Sequence, residues 1–424
     1  MELSNIYLIL YIFIWFVTFF YYQRRRSIID GGSIVLSLYL VCSVLSYLLF
    51  NDEEACQSRF NELELFPFIY LYFMLMLATS PLLNFDSRKV SLILKPDDRV
   101  IYIVSSVFIL FTLISFPEAV KHIQEGITMI MVDDAVNDVY SENQEVAGSV
   151  GHGGLSNITT VISGAFKFIG IFILFFLLTY EKKNKWIIGG LALSVLLSIF
   201  SAIASGSRGD AINVALVVFA TYFLFRHFYS DTINKWCKYI GLLMAVLILI
   251  PIVTITLGRF GEDNSMSSVL YYAGQENLYF NNYGLDDNGI RYGDRTVPLF
   301  KRLIGLSDVP HNYVERREMY PDLKVNDEVF YTFVGDFTID YGPILAVVIF
   351  VFCSVLFNSK TRIQENAIHF HQLLLLHFIL CVCVLGSIWL FVFSDLGGNL
   401  QIIVYILVYL YSKYVEEIGL KSEQ

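Results

Sequence analysis

Apolar runs of membrane-spanning length recur along the whole of this 424-residue chain. They lie at about 5–22, 31–50, 65–84, 100–116, 157–180, 186–204, 211–226, 238–257, 336–357, 368–390 and 397–412. A helix crossing the hydrocarbon core of a bilayer needs roughly 20 largely apolar residues. The expectation is therefore an all-α polytopic membrane protein with about eleven transmembrane helices. Ten spans with a re-entrant end is the alternative, because Asp395 and Gly397-Gly398 interrupt the last apolar stretch. Composition agrees: 56% of residues are hydrophobic and 16% charged, against about 25% charged in an average soluble domain. The net charge of -10 and the lack of a basic, aromatic platform exclude nucleic acid as an expected partner. The bilayer is the expected one.

Basic residues sort these spans. Alternate connections carry Arg24–Arg26; Arg88, Lys89, Lys95 and Arg99; Lys182, Lys183 and Lys185; Arg226, Lys235 and Lys238; Lys360 and Arg362; then Lys413 and Lys421. The short connections between them hold almost none: "NDEEACQSRFNELE" has only Arg59, and the 117–156 loop only Lys121. By the positive-inside rule, the N-terminus lies outside and the C-terminus in the cytoplasm. The first run, followed by three arginines, reads as a first membrane helix and not as a cleaved signal peptide. The expected organisation is helices 1–8 with outer loop 117–156 over residues 1–257. A large outer loop follows over 258–335, then helices 9–11 and a cytoplasmic tail over 336–424. The large loop is rich in Tyr, Asn, Asp and Arg. Leu299, Leu303 and Leu306 share one face of a short helical pattern suited to the membrane interface. The six cysteines form no disulfide framework and no zinc spacing.

An outward hairpin with "SGSRGD" at its tip (205–210) is followed by the large loop, and "VGDFTIDYG" (334–342) then enters a late span. With looser likeness across "YYAGQENLYFNNYG" (271–284), this order resembles the Wzy-type oligosaccharide repeat-unit polymerases of bacterial surface polysaccharide pathways. The resemblance implies a glycosyltransferase-C-like membrane fold in the bacterial cytoplasmic membrane. It implies an enzyme joining undecaprenyl-diphosphate-linked oligosaccharides at the outer face, with a chain-length regulator as a possible partner and no cofactor. Related lipopolysaccharide ligases carry His followed by Asn, Ser or Gln in their outer loop, and His311-Asn312 fits that dipeptide.

In that chemistry a glycan leaves undecaprenyl diphosphate for a sugar hydroxyl. The site must hold two phosphates and accept one proton. Arg208 suits the phosphates, since a guanidinium binds phosphate oxygens in pairs and stays charged. Gly206 and Gly209 allow a tight turn, and the helix starting near Asp210 favours an anion. The same arginine also reads as a helix-end anchor paired with Asp210. Arg259, at headgroup depth, and Arg291 and Arg295, flanking a Gly-Asp turn, are the substrate-binding candidates of the loop. The loop also supplies Arg302, Arg316 and Arg317, and a solvated charged face is the plainer reading for any single one of these loop arginines. His311 is the candidate general base, and His152 a weaker one. Asp336 and Asp340, four residues apart on one helix face, accept sugar hydroxyls, orient an arginine, or stabilise a helix N-terminus. Lys167, in mid-run, calls for a polar cavity. His369 and His371 fall at the inner end of a span, and no metal is expected at the reaction site. A lipid-linked oligosaccharide flippase or other transporter, and an O-antigen ligase, are the competing readings.

Overall fold

The computed structural model describes residues 2–56, 58–130, 155–204, 208–325 and 329–422. Side chains at 118–130, 155–157, 203–204, 208, 244–266, 268 and 417–422 lie outside that description. The described chain is overwhelmingly helical. Its helices are α1 (Glu2–Arg26), α2 (Gly31–Asn51), α3 (Glu53–Cys56), α4 (Leu65–Asn84), α5 (Asp98–Ile130), α6 (Leu155–Leu177), α7 (Lys185–Ala204) and α8 (Arg208–Phe225). They continue as α9 (Asp231–Tyr283), α10 (Pro298–Leu303), α11 (Tyr313–Met319), α12 (Thr332–Tyr341), α13 (Pro343–Lys360), α14 (Phe370–Leu385) and α15 (Asp395–Ser422). Among the described residues, eight helices are long and apolar enough to cross a membrane, and α14 is a shorter apolar one. They leave large apolar side chains exposed: α13 alone shows Ile344, Leu345, Val348, Val351, Phe352 and Val355. Such a surface requires a lipid solvent, and the chain is a membrane protein of the all-helical class.

Two expectations change. The run read as one span over 336–357 is two helices, α12 and α13. Gly342 between them takes φ +76°, a left-handed conformation that glycine adopts without a Cβ clash, and Pro343 starts the next helix without an N–H to satisfy. The run 368–390 stops as a helix at Leu385, and residues 386–394 are irregular. The chain also departs from purely helical structure. A short parallel ladder joins β1 (Leu92–Leu94) to β2 (Ala367–His369), with Leu92 opposite Ala367 and Leu94 opposite His369.

The chain divides into two compact units. The first comprises residues 1–86, 266–363 and 378–402. Its core stacks Tyr11 on Phe68 and sets Trp15 against Tyr39, both at 4.8 Å between ring centroids. Asp30 caps α2 through a reciprocal box with Ser33. Contacts define two ends. At one, Arg26 pairs with Asp86 at 2.7 Å, and Asn84 donates to Asn358 at 2.6 Å. Arg24, Arg25 and Lys360 close helices at that same end, where cations suit the helix dipole. At the opposite end Asn51 donates to Asn5 at 2.8 Å, Tyr70 to the Pro343 carbonyl at 2.6 Å, and the Glu64 amide to Asn281 at 3.0 Å. The last turns of α9 pack there. Gly274 lies so near the Leu45 carbonyl that a Cβ would meet it at 2.6 Å.

The second unit comprises residues 87–265, 364–377 and 403–424. Phe172, Phe176, Phe225 and Phe370 form its aromatic centre. His377 is buried there between the Thr221 hydroxyl and the Tyr405 hydroxyl, each at 2.9 Å. One end gathers β1, β2 and the basic connections: Lys95 lies over the Tyr180 ring at 4.0 Å, and Tyr229 donates to the Phe175 carbonyl at 2.8 Å.

Candidate functional site

The chain between α9 and α13 belongs to the first unit. It emerges from the end opposite Arg24–Arg26 and re-enters there at Pro343. At its centre is α12, whose Asp336 and Asp340, one turn apart, are both 0% exposed. Two arginines of "RYGDR" answer them. Arg291 sets Nε 2.8 Å from Asp340 Oδ1 and Nη2 3.1 Å from Asp336 Oδ1. Arg295 sets Nε 2.7 Å from the same Asp336 oxygen. A left-handed turn at Tyr292 and Gly293 lets both side chains reach one helix face. The remaining carboxylate oxygens take other donors: Phe391 N–H at 2.6 Å on Asp336, and the Thr296 N–H at 2.8 Å and side-chain hydroxyl at 2.7 Å on Asp340. Burial lifts the Asp336 carboxyl above its ordinary value, while Arg295, Arg291 and the Phe391 amide pull it back down.

The cluster opens outward through residues that sequence reasoning did not single out for it. Arg316, buried on α11, pairs with Asp395 at 2.6 Å, and Arg295 reaches the other oxygen of Asp395 at 3.8 Å. The Asp395 side chain is 48% exposed. Its own N–H donates to the Arg295 carbonyl at 2.9 Å, with φ at +58°. Asp294 accepts from the Tyr320 hydroxyl at 2.7 Å and pairs with Lys301. Asn399 ties the strands of chain together, donating to the Thr296 and Phe393 carbonyls at 2.8 Å and accepting from Leu299 N–H at 3.0 Å. Four cations and four carboxylates thus meet at one end of the unit, and only Asp395 stands well in water.

Beside them is an open pocket of about 380 Å³, lined by residues 284–290 and by Thr338, Ile339, Gly342 and Pro343. Asp287 lines it with one carboxylate oxygen on the Val325 amide at 2.8 Å and the other without a hydrogen-bond partner. Burial pushes this carboxyl up to about 7. Leu303, which ends α10, and Ile304 and Leu306 just beyond it form an exposed apolar tip.

The expected site residues fall as follows. Arg291, Arg295, Asp336 and Asp340 come together, but they pair with one another and are buried. The two aspartates hold Arg291 and Arg295 in place in a buried frame. Arg302 donates to the Val309 and Pro310 carbonyls, both at 3.0 Å, and shapes the loop. His311 is exposed at the start of α11, and its backbone N–H donates to Glu315 at 2.6 Å. No described contact joins its imidazole to the cluster. Arg317 lies over the Tyr313 ring at 4.9 Å. Lys167 is half-buried on α6 of the second unit, with Nζ 5.3 Å from the Phe168 ring centroid. The side chains of Arg208 and Arg259, the loop segment Ser205–Ser207, and His152 lie outside the described residues. Comparison with protein-family models, curated proteins and solved structures gives no match for this chain.

Two outcomes follow. Asp336→Ala strips Arg291 and Arg295 of a shared buried partner and should cost about 3–5 kcal/mol, measured as a large drop in the melting temperature of the detergent-purified protein. Asp287 binds a proton more tightly folded than unfolded. Between about pH 4 and pH 7 the folded state therefore holds the extra proton, and stability falls as pH rises through that window. Asp287→Asn should flatten this dependence, so that its melting temperature exceeds wild type at pH 8 but not at pH 5.

Proposed function

We propose that this chain is a polymerase of the Wzy type. It joins undecaprenyl-diphosphate-linked oligosaccharide repeat units into a surface polysaccharide at the outer face of the bacterial cytoplasmic membrane. The observation that carries the reading is the Arg295–Asp395–Arg316 arrangement: Arg295, held by the buried Asp336, and Arg316, itself buried, share one half-exposed carboxylate. It lies at the end of the first unit opposite Arg24–Arg26, which is the outer end if the arginines face the cytoplasm.

An incoming diphosphate competes with Asp395 for both forks, and bidentate contacts to phosphate favour the exchange. Released from Arg316, Asp395 becomes the base. The acceptor hydroxyl oxygen attacks the anomeric carbon of the donor sugar, the bond from that carbon to the diphosphate oxygen breaks, and the diphosphate keeps the electron pair. The hydroxyl proton passes to Asp395. Arg295 and Arg316 neutralise the departing charge without having to move into place, which is where preorganised cations lower a barrier most. The pocket at 284–290 offers Asp286, Asp287 and Asn288 to sugar hydroxyls. The apolar tip Leu303–Leu306 suits the headgroup layer beside the polyprenyl chain. Arg208 and Arg259 stay in the proposal as further diphosphate ligands, and Lys167 as a residue of a polar cavity.

The test is elongation of a synthetic polyprenyl-diphosphate repeat unit by the purified protein. Asp395→Asn should keep its melting temperature within a few degrees of wild type and lose about 10²-fold or more in turnover, the usual scale for a general base. Arg316→Lys keeps the charge without the fork and should fall well below wild type. Full turnover in Asp395→Asn together with inactivity in His311→Ala would move the base to His311. Absence of elongation by wild type, with transfer of the lipid-linked unit across vesicles, would replace the polymerase by a transporter.

A further inference from the structure

A second group of chemistry-bearing side chains lies in the other unit, away from the cluster just described. His369 ends β2, His371 stands in the first turn of α14, and Glu416 projects from the last turns of α15. One ligand atom from each lies within 4.8 Å of the others. His369 Nδ1 is 3.0 Å and His371 Nδ1 2.9 Å from the same Glu416 oxygen. The parallel ladder fixes the first histidine, since Leu94 pairs with His369. Gln372 accepts from the His369 amide at 2.9 Å and holds the turn into α14. The His371 and Tyr409 rings pack perpendicular to each other, 5.3 Å between centroids.

The group is not a finished hydrogen-bond set. His369 Nδ1 meets Glu416 Oε2 at 3.0 Å outside hydrogen-bond geometry, and the second Glu416 oxygen, Oε1, is a buried polar atom without a hydrogen-bond partner. Two imidazoles and a carboxylate around one point, with one carboxylate oxygen left unsatisfied, is a donor set for a metal ion. We propose that His369, His371 and Glu416 bind one divalent first-row transition metal ion, with Zn²⁺ as the reference ion.

Two of the three ligand separations lie close to what such an ion needs. Zinc legs of about 2.0–2.1 Å place neighbouring ligand atoms of a tetrahedron about 3.3–3.4 Å apart. The two Nδ1–Oε2 separations need to open by less than about half an ångström to reach that. Binding takes the Nδ1 lone pair of each ring, so each imidazole keeps its proton on Nε2, and Glu416 binds as the carboxylate. The fourth position is left to water or another small donor. Imidazole donors select Zn²⁺, Co²⁺ or Ni²⁺ over Mg²⁺ and Ca²⁺, which prefer all-oxygen sets. The ion would clasp α15 to the β2–α14 junction, linking residues 45 positions apart in sequence.

The experiment uses the full chain, purified in detergent, stripped with EDTA and titrated with Co²⁺ and then Zn²⁺. One Co²⁺ per chain should bind with the intense visible absorption of a tetrahedral site, be displaced by Zn²⁺ and resist excess Mg²⁺. His371→Ala and Glu416→Gln should each weaken binding at least tenfold. The melting temperature should rise with Zn²⁺ in wild type but not in either variant. Equal binding by wild type and both variants, or no binding by a folded wild type, would overturn the assignment. The readout is metal binding, so its outcome is independent of whether the protein elongates glycans.

Discussion

A carboxylate with no access to water underlies the polar end of the first unit. Asp336 is 0% exposed and still accepts from Arg291, Arg295 and the Phe391 amide. Burying that group alone would cost several kcal/mol. The chain meets the cost by bringing "RYGDR" from one side and residues 386–394 from another. The loop after α9, the short helix α12 and the irregular stretch before α15 are therefore arranged around one pair of aspartates. Neighbouring polar groups complete the frame: Asp340 holds Thr296, and Asn399 holds the backbone on both sides of it.

This arrangement divides labour between buried and half-exposed groups. Arg291 faces two buried aspartates and is only 2% exposed, so it serves the frame. Arg295 belongs to both parts, with Nε on Asp336 and Nη1 toward Asp395. Arg316 reaches Asp395 from α11. The carboxylate in water is thus the one that the proposed diphosphate would displace from Arg295 and Arg316.

Much of this is legible in the sequence, and the parts that are not share a cause. Apolar length gives the bounds of 65–84 directly, because a membrane helix must be continuous and apolar. The spacing of Asp336 and Asp340 puts them on one helix face, because helical periodicity is local. The break at Gly342-Pro343 was written in the residues but hidden by the apolar run on its far side, which reads as one span with what precedes it. In the sequence Asp395 reads only as an interruption of a span. Its partner Arg316 is 79 positions away, and no periodicity links them. Glu416 escaped in the same way, being 45 positions from His371. Long-range pairs of this kind depend on which helix ends the fold brings together.

The central claim is that this membrane protein lengthens a lipid-linked glycan after it has reached the outer face. Chain-length analysis of surface glycan in a deletion strain tests it most directly. The account predicts that repeat units still arrive outside but remain single, and that long chains return with the wild-type chain. Long chains of normal length in the deletion strain, or no repeat unit outside the membrane at all, would contradict it.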